Sequence, residues 1–269
     1  NPLTPRVLVN RVWHYHFGRG LVSTPNDFGA NSEKPSHPEL LDWLASEFQR
    51  SGGSIKALHR LILLSSAYQQ SGRDAKVPEQ ERAAQLDGED RQLWHFPIRR
   101  LEAEEVRDSI LWLSGNLNLE ASGPGFRPFN ITINNSYFYN LVDRSEPEFN
   151  RRSVYRVNVQ SGRDPLLDSL DCPDPSTKTP SRAVTTTPIQ SLGLMNSSFV
   201  QRQAGDFAAR LEREAGKELE NQIKLAWKLA YARKPEKNEL KRASTFAAEN
   251  GMPSLCWVVL NSSELLYVK

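Results

Sequence analysis

The sequence predicts a mainly α fold of the α+β class, a multi-helix domain that carries a small antiparallel β insertion. Apolar residues recur at helical spacing over residues 1–120 and again over residues 188–269, which is typical of amphipathic helices. Residues 121–187 are instead rich in Gly and Pro, contain alternating β-branched and aromatic residues, and end in a long loop. The 269 residues are 38% hydrophobic and include six tryptophans, which suffices for a sizeable core. We therefore expect a single domain, helical over 1–120 and 188–269, with the β insertion and long loop over 121–187.

Composition and charge exclude several classes of function. The formal net charge is only +2, which gives no electrostatic support for non-specific nucleic-acid binding. No apolar run reaches about 18 residues, so we expect no membrane span. The two cysteines, Cys172 and Cys256, lack the spacing of zinc or thioredoxin-like sites, and whether they form a disulfide stays open. The abrupt start at Asn1 indicates an excised domain, so the sequence itself assigns no compartment.

The first predicted helix lies in the segment Arg6–Gly29, which holds the densest group of candidate site residues. Its core face follows from helical spacing and consists of Val9, Val12, Trp13, His16 and Phe17. Residues two apart on a helix point about 200° away from each other, so His14 and His16 are not expected to bind one metal ion together. Two interpretations stay open. Either His14, Asp27 and nearby arginines form the wall of a site, or this is a buried amphipathic helix with a hydrogen-bonded His16.

Two further helices follow and are joined by a short glycine-containing loop. Ser36 is predicted to cap the first of them, with Glu39 completing a capping box. Ser54 is predicted to cap the second, which should span Ile55–Gln70. A loop this short makes the two helices antiparallel neighbours. His59 lies on a mixed face of the second helix and is expected to be solvated.

The strongest helical pattern spans Leu101–Leu113 and ends at a glycine. Glu102 falls on the same face as its apolar residues, which should be the core face. A buried carboxylate needs a partner, because an unpaired buried charge is too costly, and the candidates are Arg99, Arg100 and more distant arginines. The structural interpretation is a buried Glu–Arg clamp, and the functional one is a general acid or base.

The middle of the chain contains two segments of alternating residue types, followed by a long polar loop. Phe129–Leu141 and Arg152–Val159 both alternate as strands do and are predicted to pair in a small antiparallel sheet. Asp164–Pro188 is a long loop rich in Pro, Asp, Ser and Thr, and loops of this length are often functional. Helices then resume to the end of the chain, over Pro188–Met195, Phe199–Arg213, Asn221–Tyr231, Pro235–Glu249 and Ser254–Leu260.

Common catalytic motifs are absent from the sequence. It contains no Walker loop, no strand-linked GxGxxG, no HExxH, no GxSxG and no CxxCH haem attachment. Residue spacing therefore assigns no reaction.

Seven ordered segments carry a family resemblance, and they cover the chain from Asn1 to Lys269. The segments are NPLTPRVLVNRVWHYHFGRGLVSTPNDFG, PSHPELLDWLASEF, IKALHRLILLSSAYQQS, RRLEAEEVRDSIL, RRSVY, TTTPIQSLGLMNSSFV and LNSSELLYV. Together they resemble the C-terminal domain of the planctomycete cytochrome-c-associated proteins. The family's Gly-rich stretch before RRSVY is only partly kept, as Gly123-Pro124-Gly125, and Phe126–Glu148 is individual to this chain.

The resemblance implies a context more than a chemistry. It implies an exported protein, periplasmic or at the cell surface, in which this domain follows a c-type cytochrome domain. Haem c would then sit in a neighbouring domain, with no cofactor in this one. The implied partners are the neighbouring domains of the same polypeptide and acidic polysaccharide. Two functions follow: a non-catalytic module that docks partner domains or binds acidic polysaccharide, or a glycan-active enzyme, hydrolytic or oxidative, coupled to the cytochrome.

Candidate site residues come from these patterns and from the matching motif positions. His14, Asp27 and Glu102 are the catalytic candidates, and no metal ligand is proposed. The binding candidates are Arg19, Arg99, Arg100, Arg107, Arg152, Tyr155 and Arg156. We expect a basic, hydroxyl-lined surface where the first segment meets the β insertion and the loop Asp164–Pro188. The alternative is that these arginines only neutralise the aspartates of that loop.

Overall fold

The computed structural model describes residues 1–72 and 77–268, and over these residues the fold is mainly helical with two small two-stranded sheets. The helices in the described ranges are α1 Leu3–Phe17, α2 Pro38–Arg50, α3 Ile55–Leu63, α4 Pro78–Leu86, α5 Ala103–Ser114, α6 Pro165–Ser169, α7 Pro188–Met195, α8 Ser198–Ala215, α9 Leu219–Tyr231, α10 Lys237–Asn250 and α11 Met252–Leu260. The strands are β1 Arg99–Arg100, β2 Phe129–Asn134, β3 Ser136–Leu141 and β4 Tyr267–Val268, paired β1 with β4 and β2 with β3. The predicted fold class is confirmed.

Two compact units make up the chain. One comprises Asn1–Arg99 with Val268–Lys269, and the other comprises Arg100–Tyr267. The prediction that the whole chain forms a single domain stays a prediction. Within residues 1–72 and 77–268, no helix combines the length and the apolar character needed to cross a membrane.

The core of the first unit forms where α1 packs on α2 and α3. Val9, Trp13 and Phe17 of α1 are buried there, as their spacing predicts. The helix ends at Gly18, which takes the left-handed conformation (φ 77°) and donates its N–H to the His14 carbonyl at 2.7 Å. The chain then folds back along α1, because the buried Asn10 amide donates to the Val22 carbonyl at 2.9 Å and accepts from the Val22 N–H at 2.8 Å.

Three predictions in the first unit need correction. His37, not Ser36, occupies the N-cap of α2, and its side chain makes no capping hydrogen bond. Helix α3 ends at Leu63 and not at Gln70. The Ser65 hydroxyl donates to the Ile62 carbonyl at 2.7 Å, and this bond competes with the backbone hydrogen bonds of a continuing helix. His59 is half-buried rather than solvated, and its Nδ1 lies 2.7 Å from His16 Nε2.

The core of the second unit is built around α5, α8 and α11. Helix α8 packs against both of the others and buries Phe207 and Leu211 completely. A polar contact also crosses this core: the buried Gln203 amide oxygen accepts from the Ser114 hydroxyl at 2.6 Å and from the Asn116 amide at 2.9 Å. These bonds satisfy the polar groups that the packing removes from water.

Glu102 differs from its prediction in one respect. It is paired with an arginine, since its carboxylate lies 3.3 Å from Arg182, but 31% of its side chain is exposed. The reason is that α5 begins at Ala103, so Glu102 is the extended N-cap residue and helical spacing does not place it in the core. It forms a capping box with Glu105, which makes its role the satisfaction of backbone N–H groups at the helix start.

The β insertion is a single hairpin. Strands β2 and β3 pair antiparallel in a register that sets Phe129 opposite Leu141. The segment predicted as a second strand, Arg152–Val159, instead contains a 3₁₀ turn over Ser153–Tyr155, so that prediction is wrong. The cause is Asp108, whose carboxylate accepts from the Ser153 N–H at 2.8 Å and from its hydroxyl at 2.7 Å.

Both cysteines are free thiols. Cys172 is half-buried and Cys256 is fully buried. Burial raises the pKa of Cys172 to about 11 and the pKa of Cys256 to about 12. Both thiols are therefore protonated near neutral pH, the form that is a poor nucleophile and a poor metal ligand.

Candidate functional site

A cavity of about 360 Å³ opens in the second unit, where the base of the β2–β3 hairpin meets α6 and the junction of α7 with α8. This volume lies in the range of small-molecule binding sites. Its charged lining is Arg107, Asp143, Arg144, Arg156 and Asp164; its aromatic lining is Phe126, Phe149 and Phe199; and its neutral polar lining includes Asn150, Asn196, Ser197 and Ser198. Helix α7 approaches α6 closely beside the cavity through Gly193, where a Cβ would lie 2.5 Å from the Ser169 hydroxyl.

Arg107 reaches the cavity from α5 and is held rigidly. Only 11% of its side chain is exposed. Its Nη2 donates to the Phe149 carbonyl at 2.6 Å, and its Nη1 donates to the Arg151 carbonyl and the Ser153 hydroxyl, both at 3.1 Å. Burial lowers the pKa of Arg107, and the Asp108 carboxylate, 3.5 Å from Nη1, opposes that effect. The guanidinium therefore serves as a rigid part of the cavity wall.

Arg156 and Asp164 form a nearly buried ion pair in the wall of the cavity. Their side chains are 6% and 16% exposed, and the Nη2–Oδ2 distance is 3.1 Å. Asp164 also caps α6 by accepting from the Leu166 N–H at 3.1 Å. Outside the cavity, Arg163 lies 3.7 Å from the Asp168 carboxylate. Of the predicted binding arginines, Arg156 thus fits the alternative that an arginine neutralises an aspartate of the long loop.

The Asp143 carboxylate accepts hydrogen bonds from two side chains of α8. Arg202 donates to both of its carboxylate oxygens, at 2.8 and 2.6 Å, and the Ser198 hydroxyl donates at 2.7 Å. The hydrogen bonds from Arg202 lower the pKa of Asp143. Asp143 is therefore ionised and already paired at neutral pH.

Arg144 is the cavity arginine with the weakest internal partners. Its Nη2 donates to the Asn130 amide oxygen at 3.1 Å, while the nearest carboxylate oxygen among the described residues, in the exposed Glu146, lies 3.9 Å from Nη1. Its guanidinium rests over the Phe149 ring at 5.1 Å. Its Nε is buried and has no hydrogen-bond partner among the described residues. Among the three arginines of the cavity, Arg144 therefore has the longest distance to a carboxylate partner, 3.9 Å to Glu146.

The structure brings two of the predicted binding residues, Arg107 and Arg156, to this cavity. Tyr155 lies beside it, where its hydroxyl accepts from the Ser122 N–H at 3.1 Å and its ring packs 4.1 Å from the guanidinium of Arg151. Arg152 is exposed on the surface.

Two further binding candidates occupy strand β1. Arg100 is buried against Asp171, at 3.1 Å. Arg99 is half-buried.

The remaining candidates belong to the first unit. Arg19 donates to Glu89 at 2.9 Å and lines a second cavity of about 70 Å³, which has space for only a few water molecules. Asp27 is exposed and accepts from the Gly29 N–H at 2.8 Å, so it closes a local turn. The half-buried His14 has an Nδ1 without a hydrogen-bond partner among the described residues.

Sequence reasoning missed Arg144, Asp143 and the α8 residues that hold Asp143. Arg144 and Asp143 follow β3 in a stretch that matches no family segment, so no motif marked them. One signal was present: Ser197 and Ser198 restart the helix after α7, and helix starts frequently lie beside sites.

Among the described residues, the histidines of α1 belong to no cluster that could hold a metal ion. Over residues 1–72 and 77–268 no group of three or more His, Cys, Asp or Glu side chains is arranged to hold a metal ion. His16 instead contacts His59 and stacks edge-on against Tyr68, with ring centroids 5.5 Å apart. This matches the interpretation of a buried amphipathic helix with a hydrogen-bonded His16.

The pKa values of His14 and His16 predict that the stability of the protein depends on pH. Burial lowers the pKa of both His14 and His16 from the ordinary value of 6.5, so the folded state resists a proton that the unfolded chain accepts. Their contribution to stability is complete above that value and is lost as the pH falls below it. We expect the free energy of unfolding in urea to fall by roughly 1 kcal/mol or less between about pH 7.5 and 5.5, because solvent screens both rings.

The double variant H14Q/H16Q is the control for this prediction. It should show a smaller decline over the same pH range, because glutamine does not titrate. A decline as large as that of the unmodified chain would mean that other groups are responsible.

Comparison of the chain with curated proteins, and separately with solved structures, found no match. A family model does match over residues 1–247, which is most of the 269-residue chain. The matched range includes the cavity and all of the candidate site residues. The chain therefore belongs to the family PSD1, described as protein of unknown function (DUF1553).

Proposed function

We propose that this chain is a non-catalytic module of an exported multidomain protein and that its 360 Å³ cavity binds an acidic saccharide residue. The observation that carries the proposal is Arg144, a cavity arginine whose nearest carboxylate oxygen is 3.9 Å away. An arginine with free donors is suited to a carboxylate or sulfate, because its planar fork matches two oxygens at once.

The rest of the cavity suits a sugar. The Phe149 and Phe199 rings offer apolar surface to the C–H faces of a pyranose, and Asn150, Asn196 and Ser197 offer donors and acceptors to its hydroxyl groups. The three arginines of the lining outnumber its two aspartates by one, which matches one uronic acid or one sulfate ester. A sugar with a single acidic group is thus the ligand class that the lining supports.

The wider context follows from the family resemblance in the sequence. We propose that the protein is of the planctomycete cytochrome-c-associated type, located in the periplasm or at the cell surface. Its partners would be the neighbouring domains of the same polypeptide, one of which would hold haem c, and acidic polysaccharide. This domain itself would need no cofactor to bind the saccharide.

One observation favours the alternative of a glycan-active enzyme: two carboxylates, Asp143 and Asp164, line the same cavity. Glycosidases use a pair of carboxyl groups, one of which must carry a proton to donate. Here both are ion-paired with arginines, and the pKa of Asp143 is lowered by Arg202. Asp143 in that state is a poor proton donor, and Asp164 is already held by Arg156, so binding without turnover is the better-supported proposal.

Calorimetric titration with galacturonic acid and with a sulfated monosaccharide tests this proposal. Arg144→Gln should weaken binding of both acidic sugars about tenfold or more, the loss expected for a charge-assisted pair. Arg144→Lys should keep part of the affinity, because it retains the charge without the fork. Neutral galactose should bind weakly to both variants and to the unmodified protein alike.

Arg163→Gln is the matched control. It removes the same charge from an arginine that is 64% exposed and outside the cavity. Equal losses in R144Q and R163Q would show that only the overall charge matters. Release of reducing sugar from an acidic polysaccharide by the purified protein would favour the enzyme instead.

A further inference from the structure

The β2–β3 hairpin has two chemically different faces. Alternation along each strand and the observed register place the residues of one face together: Phe129, Ile131, Ile133, Tyr137, Tyr139 and Leu141. The opposite face, which we call the amide face, consists of Asn130, Thr132, Asn134, Ser136, Phe138 and Asn140. All six residues of the amide face are exposed to solvent.

The amide face is polar and uncharged apart from a single aromatic ring. It combines short amides and hydroxyls with one phenyl ring and contains no charged residue. Phe138 lies directly opposite Thr132 and is 52% exposed, so burial in the core does not explain an aromatic ring there. A ring that presents its electron-rich face attracts the partly positive C–H groups of a sugar, and the flanking amides suit the sugar hydroxyls.

The amide face is continuous with the cavity through Arg144. The Arg144 guanidinium, which lines the cavity, donates to the side chain of Asn130 at 3.1 Å. Asn130 is the first residue of the amide face and pairs across the hairpin with Asn140, which donates to the Thr132 hydroxyl at 3.3 Å. A line of polar groups therefore runs from the cavity arginine along the strand toward Phe138.

We propose that the amide face is a second subsite for the same saccharide chain, with Phe138 stacking on a sugar unit beyond the one held in the cavity. This inference rests on the proposed function. Thr132 and Phe138 lie about 7 Å along the strand from Asn130, two residues at the usual rise. A single sugar bound at Arg144 does not reach that ring, whereas an oligosaccharide does.

The affinity for a saccharide should therefore rise with chain length, and the rise should depend on Phe138. We expect oligogalacturonate to bind the unmodified protein about fivefold or more tightly than galacturonic acid in calorimetry, a gain typical of one aromatic contact. Phe138→Ala should remove that gain and leave the affinity for galacturonic acid unchanged. Phe138→Tyr should retain the gain, since it keeps the ring.

Ile133→Ser is the matched control, because Ile133 is 71% exposed on the opposite face of the same hairpin. It should bind oligogalacturonate as tightly as the unmodified protein. If Phe138→Ala binds the oligomer as tightly as the unmodified protein while Arg144→Gln binds both sugars weakly, the subsite is overturned and the proposed function stands. If the unmodified protein binds neither sugar, both are overturned. Equal losses in Phe138→Ala and Ile133→Ser would also overturn the subsite, because they would reflect damage to the hairpin.

Discussion

Replacing Arg107 with alanine is expected to lower the free energy of unfolding by about 3–5 kcal/mol, the cost of breaking a buried, hydrogen-bonded charge pair. The guanidinium holds three backbone and side-chain acceptors, the carbonyls of Phe149 and Arg151 and the hydroxyl of Ser153. Its removal takes a donor from each of those acceptors in a poorly hydrated place and takes the nearby positive charge from the Asp108 carboxylate, to which Ser153 still donates. Urea denaturation monitored by circular dichroism measures the loss.

Two further variants define the origin of that loss. Arg107→Lys should remain strongly destabilised, because one ammonium cannot reproduce the fork that contacts both Phe149 and Ser153. Arg163→Ala, at an exposed arginine, should cost about 1 kcal/mol or less. A similarly small cost for Arg107→Ala would show that water replaces its contacts and that the cavity wall is not built on it.

The helices were predictable because their signals are local. Helix α7 spans Pro188–Met195 as predicted, with Pro188 in its first turn, and in the structure Thr187 and Gln190 form a capping box at its start. The apolar periodicity of α5 likewise predicted the buried face that packs on α8.

The errors arose where a contact distant in sequence overrides a local pattern. The alternation of Arg152–Val159 is a genuine strand pattern, but the carboxylate of Asp108 captures Ser153 and bends the chain into a turn. The residues of this segment alone do not indicate a contact with Asp108, which is more than forty positions away in the sequence. Glu102 is the milder case, because a helix that starts two residues later than predicted moves the carboxylate from the core face to the cap.

The residues of the cavity also divide into those that the sequence predicted and those that only the folded structure identifies. Arg107 and Arg156 were selected as binding residues, and both line the cavity. Arg144 was not, because its significance depends on its neighbours in space: Asn130 on the hairpin and the Phe149 ring beneath it. Which arginine of a basic cluster retains free donors is decided by pairing in the folded state, and sequence spacing does not encode it.

The long loop before α7 is held by one aspartate, and this gives the second large effect. Asp171 accepts hydrogen bonds from Arg100 at 3.1 Å, from the Thr185 N–H at 2.9 Å and from the Gln190 amide at 3.0 Å. Arg100 also donates to the Thr185 carbonyl, and only 5% of its side chain is exposed. These bonds tie both ends of residues 171–185 to each other and to strand β1.

Asp171→Ala should therefore cost about 3–5 kcal/mol, since it leaves the Arg100 guanidinium buried without its carboxylate. Part of the cost arises from the backbone, because Asp171 has a left-handed conformation (φ 66°) that alanine adopts poorly. Asp171→Gly relieves that strain but does not restore the lost hydrogen bonds. Its free energy of unfolding should therefore exceed that of Asp171→Ala by only about 1 kcal/mol. Denaturation in urea measures the difference, and limited proteolysis should cut residues 172–184 faster in both variants.

The charge on Asp171 also predicts how this contribution changes with pH. Burial alone favours the neutral acid, but the hydrogen bonds from Thr185 and Gln190 and the positive charge of Arg100 together outweigh it and hold the pKa of Asp171 below its ordinary value of 3.8. A lowered carboxyl pKa contributes stability that is present above the unfolded value and is lost as the pH falls through the folded one. We expect Asp171→Asn, which tolerates the left-handed conformation, to be destabilised near neutral pH and to approach the unmodified protein below about pH 3. A difference that stays constant down to that pH would mean that the shape of the side chain, and not its charge, holds the loop.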